Sequence, residues 1–528
     1  MEGKMDRRAF LRGASLSTLG IMGASALAGC AASNLPATGE VTFDQLVTWD
    51  DEYDVIVIGF GGAGAVASKT AADAGAKVLL LEKAEKGDEG GNTRFCSQMF
   101  AYGHEDEEAT KAYYRAMASD MPVPDDVLEV YATGIAHLHD NYSETYGLDK
   151  SEFVTMPVPV EYPEFAGSDK ITLDALHMGA ADGYMWGIQR DAVMALSDSI
   201  DVWYESPAVR LVQDPWSKTV VGVTVDHEGE EQNIRALRGV ILTCGGFENN
   251  VEMVKDYLGF AHYLPLGTLN NTGDGIKLAL GVGADLWHMH AVESLHVLGG
   301  LSWITEEGMR GIMVPVTSGI NTGSMVLVGA DGYRYLREDE VTRHGHVYNN
   351  GIWTPVRHPE RMFVVYDQAQ LDDMKKVGEA GAPEEFLAQA HTASSFEELA
   401  TLIDVKPEVL MQTMADFNKA AAEGYDPAFH RAPESMRVFG EPPYYALELI
   451  PDILNTQGGP RRNGKAEVID VEGNPIPHLY AAGECGGVTS HMYQGGGNMA
   501  DNMIFGQVAG RNAAAEKEAL APIPVSIS

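Results

Sequence analysis

Positive charge is what this chain has least of: 37 Lys and Arg stand against 76 Asp and Glu, for a net charge of −39. Such a balance excludes the phosphate-neutralising footprint of a nucleic-acid binder and favours solubility and cationic partners. Cysteine is also sparse, with four in 528 residues. Beyond Cys30, the three thiols Cys96, Cys244 and Cys485 are scattered and show no CxxC or CxxCH spacing. Neither a disulfide framework nor an iron–sulfur or covalent haem site is expected, so any electrons must come from another protein or a mobile carrier. His288, His290, His296, His344 and His346 show no HxxxH spacing, and no metal is assigned. Internal repeats and low-complexity tracts are lacking too.

The apolar run from Ala14 to Gly29 is too short and too rich in small residues to span a bilayer. It follows Asp6-Arg7-Arg8-Ala9-Phe10-Leu11-Arg12 and ends in Leu27-Ala28-Gly29-Cys30. The arginine pair with its apolar run is the pattern of a twin-arginine export signal, and the run's end resembles a lipobox with Cys30 as the lipidated residue. Residues 1–30 are therefore expected to send the protein, already folded around a cofactor, to the extracytoplasmic face of the cytoplasmic membrane and tether it there by lipid. A loose linker, 31–50, follows.

With 45% hydrophobic content the rest can bury a large core, divided into two or more compact units. Tyr53 to Ile58 reads as a fully buried parallel strand running into Gly59-Phe60-Gly61-Gly62-Ala63-Gly64. An Ala-rich helix and a further buried strand, Lys77 to Glu82, complete a βαβ unit. Alone, GxGxxG is weak; with strand, helix, strand and the terminal acid Glu82 in register it indicates dinucleotide binding. Gly59 permits the tight turn, Gly61 lets a pyrophosphate reach the backbone at a helix N-terminus, and Gly64 lets helix and strand pack closely. Glu82 is the expected acceptor for the adenosine ribose.

Strand patterning returns between Val202 and Val225 and in Arg238 to Phe247, and Thr272-Gly273-Asp274-Gly275 opens a helix of small residues. From 288 to 440 charged helical stretches such as Ser395 to Ile403 and Pro407 to Ala422 change the composition, which reads as an inserted domain. The expected organisation is a Rossmann-like α/β dinucleotide-binding domain in two parts, 51–287 and 441–515, with an inserted second domain, 288–440, and a tail, 516–528. The acidic run Glu338-Asp339-Glu340 reads as a solvated face, with Glu338 placed to orient Arg343.

The motifs GFGGAG with Glu82, VILTCGGFENN, TGDGIKLALGVGAD, GYRYLRE, PIPHLYAAGE and GGGN resemble the FAD-binding flavoprotein of the fumarate reductase and succinate dehydrogenase superfamily, whose members include 3-ketosteroid dehydrogenases and urocanate reductase-type enzymes. The resemblance runs from about residue 53 to 515 and implies that the two-part domain is a Rossmann-like FAD-binding domain and the insert, 288–440, an α+β capping domain. It implies FAD held by Gly59, Gly61, Gly64, Glu82 and Lys83 at the ADP half, by Asn92 and Thr93 along the pyrophosphate and flavin, and by Val209 through its backbone at adenine. Gly245, Asp274, Ala482 and Asn498 belong to the same shell, with Glu484 at the ribityl hydroxyls.

Dicarboxylate enzymes of this type clamp substrate with cations and imidazoles. Here the expected histidine is replaced by Asn455, the arginine before the GGN by Gln494 and a further histidine by Ser294, with His296 two positions on. Arg343 is the candidate proton donor and His344 a further substrate contact. Tyr493-Gln494-Gly495-Gly496-Gly497 is similar to the steroid dehydrogenases' Tyr-x-G-x-G run. By that resemblance the Tyr493 hydroxyl and the Gly497 N–H would form an oxyanion hole for an enone. The implied activity is reduction of an activated C=C bond in a weakly anionic substrate, protonated by Arg343 or Tyr493, with electrons from a cytochrome, a quinol-oxidising subunit or a flavin carrier. Desaturation of a ketone on the same scaffold, and a non-catalytic flavin electron carrier, remain alternatives.

Overall fold

The computed structural model describes residues 41–517 except 120, 122, 177–181, 296, 307, 316–317, 379–380 and 491, and also 520 and 522. The signal, Cys30 and His296 thus lie outside the described residues. Two units separate: residues 48–519, and the flanking 1–47 with 520–528, whose one described element is a 3-10 turn, Phe43–Leu46.

In the large unit, the strand Asp51–Ile58 runs parallel to Val78–Leu81 on one side and Glu230–Leu242 on the other. Ile200–Trp203 extends the sheet beyond Val78–Leu81, and Pro475–Ala481 extends it beyond Glu230–Leu242. Val55, Ile56 and Val57 are fully buried because both faces of the sheet are covered, so this strand reads as an unbroken apolar run. One covering layer is the helix Gly62–Asp73, against which the closing helix Gly497–Ala515 packs. A Cβ at Gly510 would lie 2.5 Å from the Ala67 carbonyl oxygen, and one at Gly506 2.9 Å from Val66 Cβ. Small residues on both helices are what this close approach requires.

The other large sheet is built around Tyr444–Ile453, flanked by Met362–Asp367 and Leu301–Trp303, with Met325–Gly329 and Ile312–Met313 at its edges. Leu264–Pro265 and His391–Ala393 also pair with Tyr444–Ile453. This sheet therefore begins before residue 288 and its central strand lies after 440, outside the interval that composition suggested for the inserted domain. A central strand is defined by partners distant in sequence, and local composition carries no trace of them. Tyr444–Ile453 runs on into Asn455–Thr456, which pairs with Val292–Glu293 and carries the chain from this sheet to the cavity described below.

Glu338 is not on a solvated face. It is fully buried, accepts two hydrogen bonds from Arg334 (2.8 and 2.6 Å) and lies 3.3 Å from the buried Arg431. Its carboxylate ties the Met325–Gly329 strand, through Leu327 N–H, to the 431 loop, and its partners do not include Arg343.

Candidate active site

A cavity of about 700 Å³ opens at the carboxyl ends of four parallel strands, where Ile58-Gly59, Leu81-Glu82-Lys83, Thr243 to Gly245 and Ala482 with Glu484 form its floor. This is where ligands bind in open α/β sheets. Gly59 has φ +105° and its N–H donates to the Leu81 carbonyl, so the chain turns sharply off the strand. Gly64 has no part in lining the cavity. A Cβ there would sit 1.9 Å from the Gly59 oxygen, so its smallness serves packing. Gly61 differs from both: a Cβ would meet nothing nearer than the Gly90 oxygen at 3.6 Å, an ordinary contact. The protein itself does not demand glycine at 61, which fits a backbone kept bare for a ligand.

Other groups of this half are held in place by one another. Glu82 accepts the Phe60 N–H (2.9 Å) and the Ala84 N–H (2.8 Å), which fixes its carboxylate at the rim. Thr93 Oγ1 accepts from Gly62 N–H and Asn502 Nδ2, pinning the loop to the helix N-terminus. Lys83 donates to Asp274 (2.7 Å) and Thr272 (2.8 Å). Burial works against the Asp274 anion, but this ammonium holds its carboxyl below the usual range. Asn498 lines the cavity with a buried, unpartnered Nδ2, while the unpartnered Oδ1 of Asn455 belongs to the other half. Bare backbone at a helix N-terminus, an acid at the end of the neighbouring strand and an orphaned amide group together fit a dinucleotide such as FAD. At Val209 the side chain points outward, 44% exposed, and Ser206, Pro207 and Ala208 line this edge of the cavity.

The other half of the cavity is more apolar, walled by Met99, Val158, Leu173, Leu295, Met313 and Leu454. Its polar centre is a group that local motifs do not reveal. His344 Nε2 lies 2.7 Å from Glu161 Oε1, which also accepts the Gly495 N–H (3.1 Å). The Tyr493 ring stands edge-on to His344, with centroids 4.8 Å apart. Tyr493 oxygen accepts the Asn498 N–H at 3.1 Å, leaving its own proton to donate, and burial raises its pKa well above the ordinary value, so it stays protonated.

Three sequence-based assignments change here. Arg343 does not line the cavity; it pairs with Glu164 (2.6 Å) and packs against the Tyr162 and Trp353 rings. Gln494 is buried on the far side, where its Oε1 accepts from Tyr113 hydroxyl (2.6 Å) and Glu161 N–H (3.1 Å). The Gly497 N–H is spent on the Gln494 carbonyl in the first turn of the closing helix, so the amide beside the Tyr493 oxygen is that of Asn498. Glu161 escapes sequence reasoning because it follows a Pro-rich stretch with no periodicity or motif. Glu248, inside the GGFENN motif, carries no role by resemblance. Yet it is buried behind the cofactor half, hydrogen-bonded to Asn92 and Asn271. Two of the scattered thiols also converge, with Cys244 and Cys485 hydrogen-bonded to one another.

Comparison with known proteins agrees with this geometry. A family model described as an FAD binding domain matches residues 54–499. Digoxin reductase of Eggerthella lenta is 27% identical, over 98% of each chain. The probable fumarate reductase Ifc3 of Shewanella frigidimarina is 27% identical, over 88% of this chain and 78% of that one. Among solved structures, 3-ketosteroid delta1-dehydrogenase from Sterolibacterium denitrificans superposes with a TM-score of 0.69 at 20% identity, covering 88% of this chain and all of that one, a likeness of fold. The chain belongs to the FAD-binding domain family of the fumarate reductase-like flavoproteins and is an FAD-dependent oxidoreductase.

Proposed function

We propose that this protein reduces an activated C=C bond conjugated to a carbonyl, in a substrate that is largely apolar and weakly anionic. The observation that carries the reading is the Glu161–His344 pair, 2.7 Å apart in the cavity wall beside Tyr493. FAD, held by the glycine cradle and reduced by an external donor, supplies hydride chemistry at the β-carbon. The residues of this chain do the rest. Tyr493, kept protonated by burial, donates to the substrate's carbonyl oxygen and stabilises the negative charge that develops there. The Glu161–His344 pair delivers the proton that the α-carbon takes up, in place of the arginine of dicarboxylate enzymes. Apolar walls exclude water and grip the body of the substrate.

Charge supports the choice of substrate. Among the described residues, the Lys and Arg side chains of the cavity wall are Lys83, committed to Asp274, and Arg310, stacked 3.9 Å over Phe95. Neither forms the double clamp a dicarboxylate needs, and an uncompensated buried anion is costly. Relatives named as reductases are in keeping with the direction. Anaerobic assay of the FAD-loaded protein with reduced viologen separates the cases. Turnover of bulky enones, lost in His344→Ala, supports the reading; turnover confined to fumarate, or retained in His344→Ala, overturns it.

We also propose export by the twin-arginine route and lipid tethering through Cys30 on the outer face of the cytoplasmic membrane, with a cytochrome, quinol-oxidising subunit or flavin carrier as donor. Arg7-Arg8 and the Leu-Ala-Gly-Cys run support this. Loss of membrane association in Cys30→Ser, with activity retained, is the expected result.

A further inference from the structure

Two carboxylates meet behind the cofactor half of the cavity without a cation between them. Glu484 lines the cavity and Glu248 lies behind it; both are buried. Asn92 Nδ2 donates to both, at 2.7 Å to Glu248 Oε1 and 2.9 Å to Glu484 Oε2. Asn271 Nδ2 donates to Glu248 Oε1 (2.8 Å), and the Thr456 N–H to Glu484 Oε1 (3.1 Å). The two carboxyls face one point: Thr456 hydroxyl donates to Glu248 Oε2 (3.5 Å), and a Cβ on Gly246 would stand 2.7 Å from that oxygen and 2.8 Å from Glu484 Oε1. Among the described residues no Lys, Arg or His hydrogen-bonds either carboxyl. The titratable neighbours are Tyr263 beside Glu248 and Cys485 and Cys96 beside Glu484, none of them a cation. Like charges this close in a dry site do not both ionise, so one carboxyl keeps a proton.

We propose that Glu248 is a positioning residue for FAD: it shares a single proton with Glu484, and that proton lets one Asn92 amide hold both carboxyls and keep the cavity-facing one against the cofactor. The proposal rests on FAD binding, not on the alkene chemistry, and the two can fail separately. Burial pushes Glu248 up to about 7 and drives Glu484 well above the usual carboxylate range. As pH rises through this region the shared proton leaves. Two anions then repel across Asn92, the Glu484 carboxylate shifts, and FAD is released faster. Glu248→Gln keeps the size and the acceptor for Asn271, has no proton to lose, and leaves Glu484 facing a neutral partner.

The test follows FAD release from the holoprotein by flavin fluorescence, from about pH 6 to about pH 9, and records infrared difference spectra over the same range. In the native protein the release rate is expected to climb by up to about tenfold per pH unit on the acid side of the pair's titration and to level off above it, as loss of one proton dictates. A protonated-carboxyl C=O band should disappear in step. In Glu248→Gln the rate should stay flat within about twofold, the yardstick being that same single-proton slope. A native-like slope in Glu248→Gln overturns the proposal. Should that variant not fold, the infrared arm is read in Asp452→Asn, which removes the other buried carboxyl that titrates near neutrality: absence of a protonated-carboxyl band lost over this pH range overturns the shared proton, and its loss in step with FAD release supports it.

Discussion

The two halves of the cavity are built on opposite plans. In the cofactor half, polar side chains are largely spoken for by the protein: Glu82 by two backbone amides, Thr93 by the helix it caps, Lys83 by Asp274. In the substrate half, Tyr493 has a proton to give, Glu161 Oε2 and Asn455 Oδ1 have no partner, and the remaining wall is apolar. The first half is a rigid cradle whose ligand stays. The other keeps donors and acceptors uncommitted for a molecule that comes and goes, accepting buried unsatisfied groups that would otherwise cost on the order of 1–3 kcal/mol each.

The widest break in this contrast is expected at His344. Replacing it with Ala removes the proton source and should lower turnover by about 10²–10⁴-fold, with FAD content unchanged. Tyr493→Phe removes one donor to the developing oxyanion and should cost about 10²–10³-fold in kcat, again with bound flavin intact by absorbance. Arg343→Ala is the control, since its partners are Glu164, Tyr162 and Trp353 outside the cavity. A loss in Arg343→Ala as large as in His344→Ala would put the proton donor back on the arginine.

The cradle can be divided by two glycines that look alike in the motif. Gly64→Ala drives a methyl into the Gly59 carbonyl and should destabilise the apoprotein by about 1–3 kcal/mol, read as a lower melting temperature. Gly61→Ala has room within the protein, so its apoprotein should melt with the native one while FAD affinity falls. Equal melting losses in both would show that Gly61 also serves packing.

Legibility in the sequence follows the same division. The βαβ unit, its glycines, Glu82 and the GE turn at 483–484 are legible because each lies within a few residues of the strand that positions it. The substrate half is not, because its parts come from residues 161, 344, 455 and 493, carried together by two sheets and the closing helix. Arg343 illustrates the difficulty. One residue of offset along an irregular loop decides which of Arg343 and His344 enters the cavity, and spacing from the GYRYLRE motif cannot resolve it. The central strand Tyr444–Ile453 escapes for the same reason, since its partners lie between residues 264 and 393.

The smallest expected effect lies where that strand reaches the substrate half. Asp452 is fully buried; its Oδ1 accepts the Leu295 N–H at 3.1 Å and its Oδ2 has no partner. Burial pushes its carboxyl up to about 7, against an unfolded value of about 4. Between these two pH values the native state holds a proton that the unfolded chain has lost, so stability falls as pH rises through the window, and the full penalty stands above about 7. Asp452→Asn keeps the acceptor for Leu295 and removes the ionisation. Its melting temperature should match the native protein's below about pH 4, rise above it progressively toward neutrality, and hold that gain at higher pH with turnover little changed. A gap independent of pH would mean that Asp452 stays ionised in place. The uncommitted groups of the substrate half would then extend to a stable buried anion, which the apolar walls argue against.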